Sequence, residues 1–478
     1  MKIILKPGIL YYCLFSTSML FGQKFPRGLP ETPDTLYQNI AQKAPLTDAL
    51  YRNVQPRYSL KQYTPYPGLQ QHGTCAAFAT AYATRTILEA KKKQWTDRTI
   101  ISKNVFSPGF IYRISNVDNS TCWGAYTSEL LNNMMSYGVP KLKDFPTECP
   151  ENYPPQLVFD NAAYYKIKGF TRLFGENDAN KIKVNTVKKS LSEGNPVVIS
   201  MICPDSFDDA TGVWNPVENP GDPIHGRQHG RHALCVVGYD DEKYGGAFEI
   251  MNSWGRDWGN EGFIWMRYSD FARFIYQGFE VLNLGGADPK PEPNPKPAPD
   301  PITYQLNGEL HMKNIDNLSI AVSLVKGSRT YLLQEALPSG TRFRLYLKNT
   351  QPAFVYLLGW DNTRKVFQLF PHDPTISAAL NYSKNEVAIP SENQHIRLDN
   401  SIGKDVMALI YSKKELNIKE IILKLKNASG AIEDELTKII GKDLVSINQV
   451  TYESHNISFS AKNVKQPVVL LFFEIQHK

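Results

Sequence analysis

Residues 285–301, GGADPKPEPNPKPAPDP, cannot contribute to a folded core. They hold seven prolines and nothing else apolar larger than alanine. Such a segment lacks backbone donors and favours polyproline II. The 478 residues are therefore read as two folded regions joined by a semi-rigid spacer. Each region is long enough for a core of its own.

The N-terminus reads as a targeting signal. Lys2 and Lys6 precede the apolar run from Ile9 to Phe21, too short to span a bilayer comfortably. This is the layout of a secretory signal peptide over residues 1–22, with cleavage near Gly22-Gln23. The expected location is secreted or periplasmic. No other stretch predicts a stable membrane span. The formal charge of +6 falls to +4 once Lys2 and Lys6 are removed, too weak a bias to argue for nucleic acid. Lys91-Lys92-Lys93 reads as a solvated helix end. Residues 23–57 carry Pro26, Pro30, Pro33, Pro45 and Pro56 and are read as an extended leader.

From Cys75 to about Lys93, apolar residues recur at helical spacing (Ala76, Phe78, Ala79, Tyr82, Ala83, Ile87, Leu88). Thr127 to Tyr137 predicts a second helix, closed by Gly138 and Pro140. Short strands follow: Val197–Met201, His232–Tyr239, Phe248–Asn252 and Gly262–Met266. Helices first and an antiparallel sheet second is the α+β class. After the spacer, residues 302–478 read as mostly β. Phe354–Gly359 and Val366–Phe370 flank the hairpin signal Asp361-Asn362-Thr363. A helical stretch over 415–440 and a last strand over Val468–Ile475 complete that region.

Five cysteines remain after the signal: Cys75, Cys122, Cys149, Cys203 and Cys235. An odd number in an exported chain leaves at least one thiol unpaired. Cys235, in mid-strand, reads as buried and inert. Cys75 follows Gly73-Thr74 where a turn hands over to a helix, and a helix N-terminus favours a thiolate. Thiol catalysis also needs a base and a group that orients it. His232 opens an apolar strand run, whereas His225 and His229 lie in a glycine- and charge-rich loop and read as solvated. Asn252 ends the next strand and can accept from one imidazole nitrogen while the other faces the thiol. No close-spaced ligand pair appears, so no metal and no cofactor is expected.

Cys75 with the helix after it, His232-Ala233-Leu234 running to Gly238-Tyr239, and Asn252-Ser253-Trp254-Gly255 continuing to Trp258-Gly259 together resemble the papain family of cysteine peptidases. His232 and Asn252 lie 157 and 177 residues after Cys75, in the family's order of Cys, His and Asn. The resemblance spans about residues 58 to 284. It implies a two-lobed fold, with Cys75 as nucleophile, His232 as acid/base and Asn252 as the residue orienting the imidazole. Trp254 is similar to the lid over the His–Asn hydrogen bond, and Trp258 to a second aromatic beside it. The implied partner is a protein or peptide substrate. Gly124 and Ala125, in Cys122-Trp123-Gly124-Ala125-Tyr126, resemble the family's groove-lining stretch, with Ala125 in place of a glycine. The family's oxyanion glutamine falls at Leu69, and a one-residue deletion would give the role to Gln70. Cys122 and Cys149 are a candidate disulfide. The leader is too short for the family's helical inhibitory propeptide, so latency is expected to come from elsewhere.

Phe354–Leu358 and Val366–Pro371 resemble an uncharacterised domain attached to bacterial secreted enzymes. Residues 302–478 are therefore expected to be a non-catalytic accessory module binding substrate or a cell surface. Two rival functions stay open: a catalytically weak or inactive binding module, motivated by Leu69, Ala76 and Ala125, and a thiol acyltransferase using the same site.

Overall fold

The alanine-rich run behind Cys75 forms one continuous helical rod: Cys75–Ala77, a π-helical stretch Phe78–Arg85, and Thr86–Lys93. Its small side chains let neighbours approach closely, and Ala76, Ala77, Ala79, Ala81 and Ala83 are all buried. Thr80 donates back to the Ala76 carbonyl at 2.7 Å, a bond that competes with the regular ladder. Gln94 ends the rod in the left-handed conformation. Lys91, expected in solvent, instead donates to the carbonyls of Glu193 and Gly194 at 3.1 and 2.9 Å. Those carbonyls sit within reach of its ammonium, and Lys92 and Lys93 alone are solvated.

The computed structural model describes residues 24–115, 122–175, 177–223, 228–282 and 303–478; the expected signal segment and the spacer lie outside them. In the first region the strands Phe170–Phe174, Ile275–Val281, Val197–Cys203, Gly230–Asp240, Ala247–Met251 and Phe263–Arg267 stand in that order, all neighbours antiparallel. Arg57–Ser59 adds to Gly230–Asp240. One core gathers helical residues such as Phe110, Leu130 and Met134, with Thr127–Ser136 among its helices. A second lies on the sheet around Ile199, Val236, Phe248 and Ile264. The rod contributes to both, Ala76 and Ala77 to the first, Ala83 and Ile87 to the second. Cys75 thus begins a helix at the seam between two lobes.

The second region is a sandwich. One sheet runs Phe367–Phe370, Ala353–Trp360, Gly403–Ser412, Val468–His477, Thr330–Leu333, Val322–Leu324. The other centres on Arg342–Asn349, Tyr304–Asn314 and Ile457–Val464. Arg342–Asn349 alternates buried and open positions, as a strand with one wet face must. Val468–Phe473 is buried throughout, because helices Ile418–Asn427 and Ile432–Ile440 cover its outer face. The expected hairpin forms: Ala353–Trp360 pairs antiparallel with Phe367–Phe370.

The leader is not extended throughout. It contains the short helices Asp34–Gln38 and Asp48–Arg52, and it is built into both regions. Ala44 and Leu46 join the sandwich core, and Gln42 bridges to Arg172 on one side and Ile376 on the other. At this junction the Lys43 ammonium lies 2.7 Å from Glu280, whose other oxygen accepts from Tyr382 at 2.6 Å. Burial pushes the Glu280 carboxyl up, but Lys43, Tyr382 and Asn381 outweigh it and hold the group below its ordinary value. Among the described residues no helix is long and apolar enough to cross a membrane.

Candidate active site

Cys75 is buried at the first position of its helix, after Thr74. Burial pushes its thiol up; the backbone N–H groups of Ala233, Gly28, Ala76 and Cys75 itself pull the other way. Cys203 and Cys235 have no such ring of donors. Burial pushes both up to about 12, with Arg27 pulling Cys203 back and Thr84 pulling Cys235 back. Of the three free thiols among the described residues, Cys75 is the one whose burial is opposed by backbone N–H donors. Cys122 and Cys149 form a disulfide.

The register of the central strand sets the residue after the histidine at the sulfur. His232 pairs with Met201 and Ala233 with Ser200, and it is the Ala233 N–H that reaches Cys75. His232 Nε2 meets Asn252 Oδ1 at 2.8 Å. Its Nδ1 has no hydrogen-bond partner, so this nitrogen is left for the proton traffic of the site. Trp254 stacks on the imidazole at 4.6 Å, and Trp258 stands edge-on to Trp254 at 5.4 Å. The two indoles keep water from the His232–Asn252 bond, which strengthens it.

The register upstream of the thiol also resolves. Gly68 to Gln70 pairs with Ser253 to Gly255 through Gln70 N–H to Ser253 O and Gly255 N–H to Gly68 O. This turns Leu69 outward, 57% exposed, and Gln70 inward, 2% exposed. The Gln70 amide accepts from the Ser253 hydroxyl and donates to the carbonyls of Pro26 and His72 at 3.0 and 2.9 Å. Gln71 is exposed and its backbone N–H is held by Glu148.

The carbonyl of Pro26 belongs to the leader, which runs through the cleft. Phe25 stacks on Trp254 at 4.7 Å, and Trp254 Nε1 donates to Pro26 O at 3.1 Å. Gly28 presents its N–H to Cys75 and its carbonyl to Ala125 N–H at 3.2 Å. Leu29 N–H reaches Arg231 O at 3.4 Å. Gly28 is at a point of close approach: a Cβ there would overlap the backbone of Gly73. Gly124 is the same from the other side, where a Cβ would overlap Gly28 O. Gly124, Ala125, Trp254 and Gln70 thus all contact one bound peptide segment, and that segment is the chain's own.

Arg27 completes the plug. Its guanidinium lies 3.0 Å from Asp205 and 2.6 Å from Asp208. Sequence reading missed this contact. Its signal was present in the complementary charges of Lys24 and Arg27 against Asp205, Asp208 and Asp209, visible only once the two segments are known to meet. His229, expected in solvent, is buried with Nε2 3.0 Å from Asn219 O, because the loop folds back on itself; His225 lies outside the described residues.

The plug adds to the forces on the charge state of the site. Burial lowers His232 to about 3, with Asn252 raising it and the Arg27 cation lowering it further. Burial and Arg27 both disfavour imidazolium, so removing Arg27 and the segment that carries it is expected to raise the pKa. At pH 5 the intact chain should show neutral His232 by nitrogen-15 histidine NMR, and a chain with the leader displaced should show imidazolium. Identical spectra would refute the assignment of the shift to the leader.

Residues 53–274 match the family model for papain family cysteine protease, and residues 336–415 match a domain of unknown function, DUF4384. An uncharacterized peptidase C1-like protein of Acanthamoeba polyphaga mimivirus is 25% identical over 218 residues, 42% of this chain and 63% of that protein. Chicken (Gallus gallus) cathepsin K is 24% identical over 275 residues, 55% of this chain and 70% of its own length. The match therefore spans under two thirds of the viral relative. Among solved structures, xylellain, a cysteine protease from Xylella fastidiosa, aligns with TM-score 0.43 and 21% identity, over 54% of this chain and 96% of that one.

Proposed function

We propose that the papain-family domain of residues 53–274 hydrolyses peptide bonds through Cys75, and that the chain as described is its latent form. The observation that carries this reading is an imidazole oriented by Asn252, with the N–H of the next residue, Ala233, among the donors around a helix-initial thiol. In the open site the Cys75 proton resides on His232, giving a thiolate–imidazolium pair. The sulfur attacks the substrate carbonyl carbon, and the oxygen gains negative charge facing the Cys75 N–H and the Gln70 amide. His232 gives its proton to the leaving amine as the C–N bond breaks, leaving a thioester. Neutral His232 then takes a proton from water, hydroxide attacks the thioester, and the acid leaves with the thiol regenerated.

The leader supports latency by its direction. The leaving amine must lie on the side of His232 and Trp254, and the acyl portion on the side of Ala125 and Arg231. The leader runs the opposite way, with Phe25 at Trp254 and Leu29 at Arg231. A reversed backbone fills the cleft without offering a carbonyl in line with the thiol and a leaving amine by His232.

Export is supported by the sequence pattern of residues 1–22 and by the Cys122–Cys149 bridge, which suits an oxidising compartment. Residues 302–478 are read as an attachment module that also seats the leader through Ala44 and Leu46. The hydrolase reading is tested on an unfolded protein substrate, using the full chain with Gly28→Val, whose added side chain cannot fit beside Gly73. Adding Gln70→Ala should lower kcat about 10²–10³-fold. Turnover indifferent to Gln70 would remove it from the oxyanion site.

A further inference from the structure

We infer that Asp205 and Asp208 form a subsite for a basic side chain on the residue just after the cleaved bond, so that the enzyme prefers Arg or Lys there. This rests on the hydrolase reading above. The two carboxylates sit on the segment Pro204–Ala210, directly after the strand that pairs with His232. Phe207 of that segment packs against Trp254 at 5.7 Å and Trp258 at 5.1 Å, and Trp258 Nε1 donates to the Asp208 carbonyl at 3.0 Å. The carboxylates therefore line the cleft on the side of Trp254 and His232, where the amine departs.

The pocket is more than a group of acids, because a guanidinium occupies it. The Arg27 side chain is 4% exposed and that of Asp208 6%. Arg27 also donates to Pro204 O at 3.3 Å and lies 5.9 Å from the Trp254 ring, while its buried Nε finds no acceptor. The peptide bearing this side chain is bound in reverse, but a side-chain pocket recognises charge and length whichever way the backbone runs. Arg27 falls between Pro26, at Trp254, and Gly28, at Cys75. A forward substrate places the residue after the scissile bond at that same step. When the leader leaves, Asp208 loses its cation partner, and an incoming Arg or Lys restores the pair. A carboxylate at that position is repelled.

The test uses the full chain with Gly28→Val and a mixed peptide library, with the new N-termini of the products read by mass spectrometry. Arg and Lys should be enriched at the new N-terminus about 10- to 100-fold over Ala, with Asp and Glu depleted. Adding Asp208→Asn should cut that enrichment about tenfold. If that variant fails to fold, Asp205→Asn, on the half-exposed carboxylate, should cut it by a smaller factor. Products with no basic preference would overturn the subsite while leaving the hydrolase intact. No cleavage of any peptide, with Cys75 open to a thiol-directed epoxide, would overturn both.

Discussion

Gly28→Val in the full chain should raise the rate at which a thiol-directed epoxide labels Cys75 by about 10- to 100-fold. The side chain would point into the backbone of Gly73, and backbone there cannot retreat, since Gly73 N–H is held by Cys122 O at 2.8 Å and Cys122 is tied to Cys149. Overpacking against atoms that can partly yield already costs about 1–3 kcal/mol, and each 1.4 kcal/mol is tenfold in the open population. The leader has somewhere to go. Residues 41 to 51 remain seated between the two regions through Gln42, Lys43 and Leu46, so the variant displaces the plug without releasing the chain. Labelling at the unmodified rate would show that Gly28 does not hold the leader in the cleft.

In that opened chain, Cys75→Ala should abolish hydrolysis, a loss of about 10⁴–10⁶-fold in kcat. The fold should tolerate the change, because alanine fits wherever the small buried thiol does. This experiment also separates the rival functions. A binding module gives no hydrolysis before or after the substitution. An acyltransferase loses its activity with Cys75 but yields amide products when an amine acceptor is supplied. Hydrolysis that persists above about 1% in Cys75→Ala, beyond the residual left by binding and oxyanion donors alone, would rule out the thioester route.

The constellation was legible because its parts obey local rules. Cys75 stands where a Gly-Thr turn meets an alanine-rich helix, and His232 and Asn252 stand at ends of apolar runs whose strand character follows from composition. Gln70 was half legible. Its residue type made it a candidate, but whether Leu69 or Gln70 turns inward depends on the pairing of 68–70 with 253–255, which no local pattern encodes. His229 was misjudged for a related reason: polar neighbours in sequence did not foretell a loop that folds back over the ring. The leader was the least legible part. Its prolines exclude a long helix, yet they say nothing about docking.

The sequence by itself indicated two folded regions around a proline-rich spacer, a helix-first α+β class, and the candidate nucleophile, base and orienting residue. Backbone propensity, side-chain period and the chemistry of single residues suffice for these. Only the tertiary structure decided what occupies the cleft. The contact between Arg27 and Asp208 spans 181 residues, and Gly28 meets Gly73 and Ala125 across three separate segments. Such contacts follow from how two lobes close around a strand-like leader. That closure is set by packing and charge between distant segments, which no window of the chain contains.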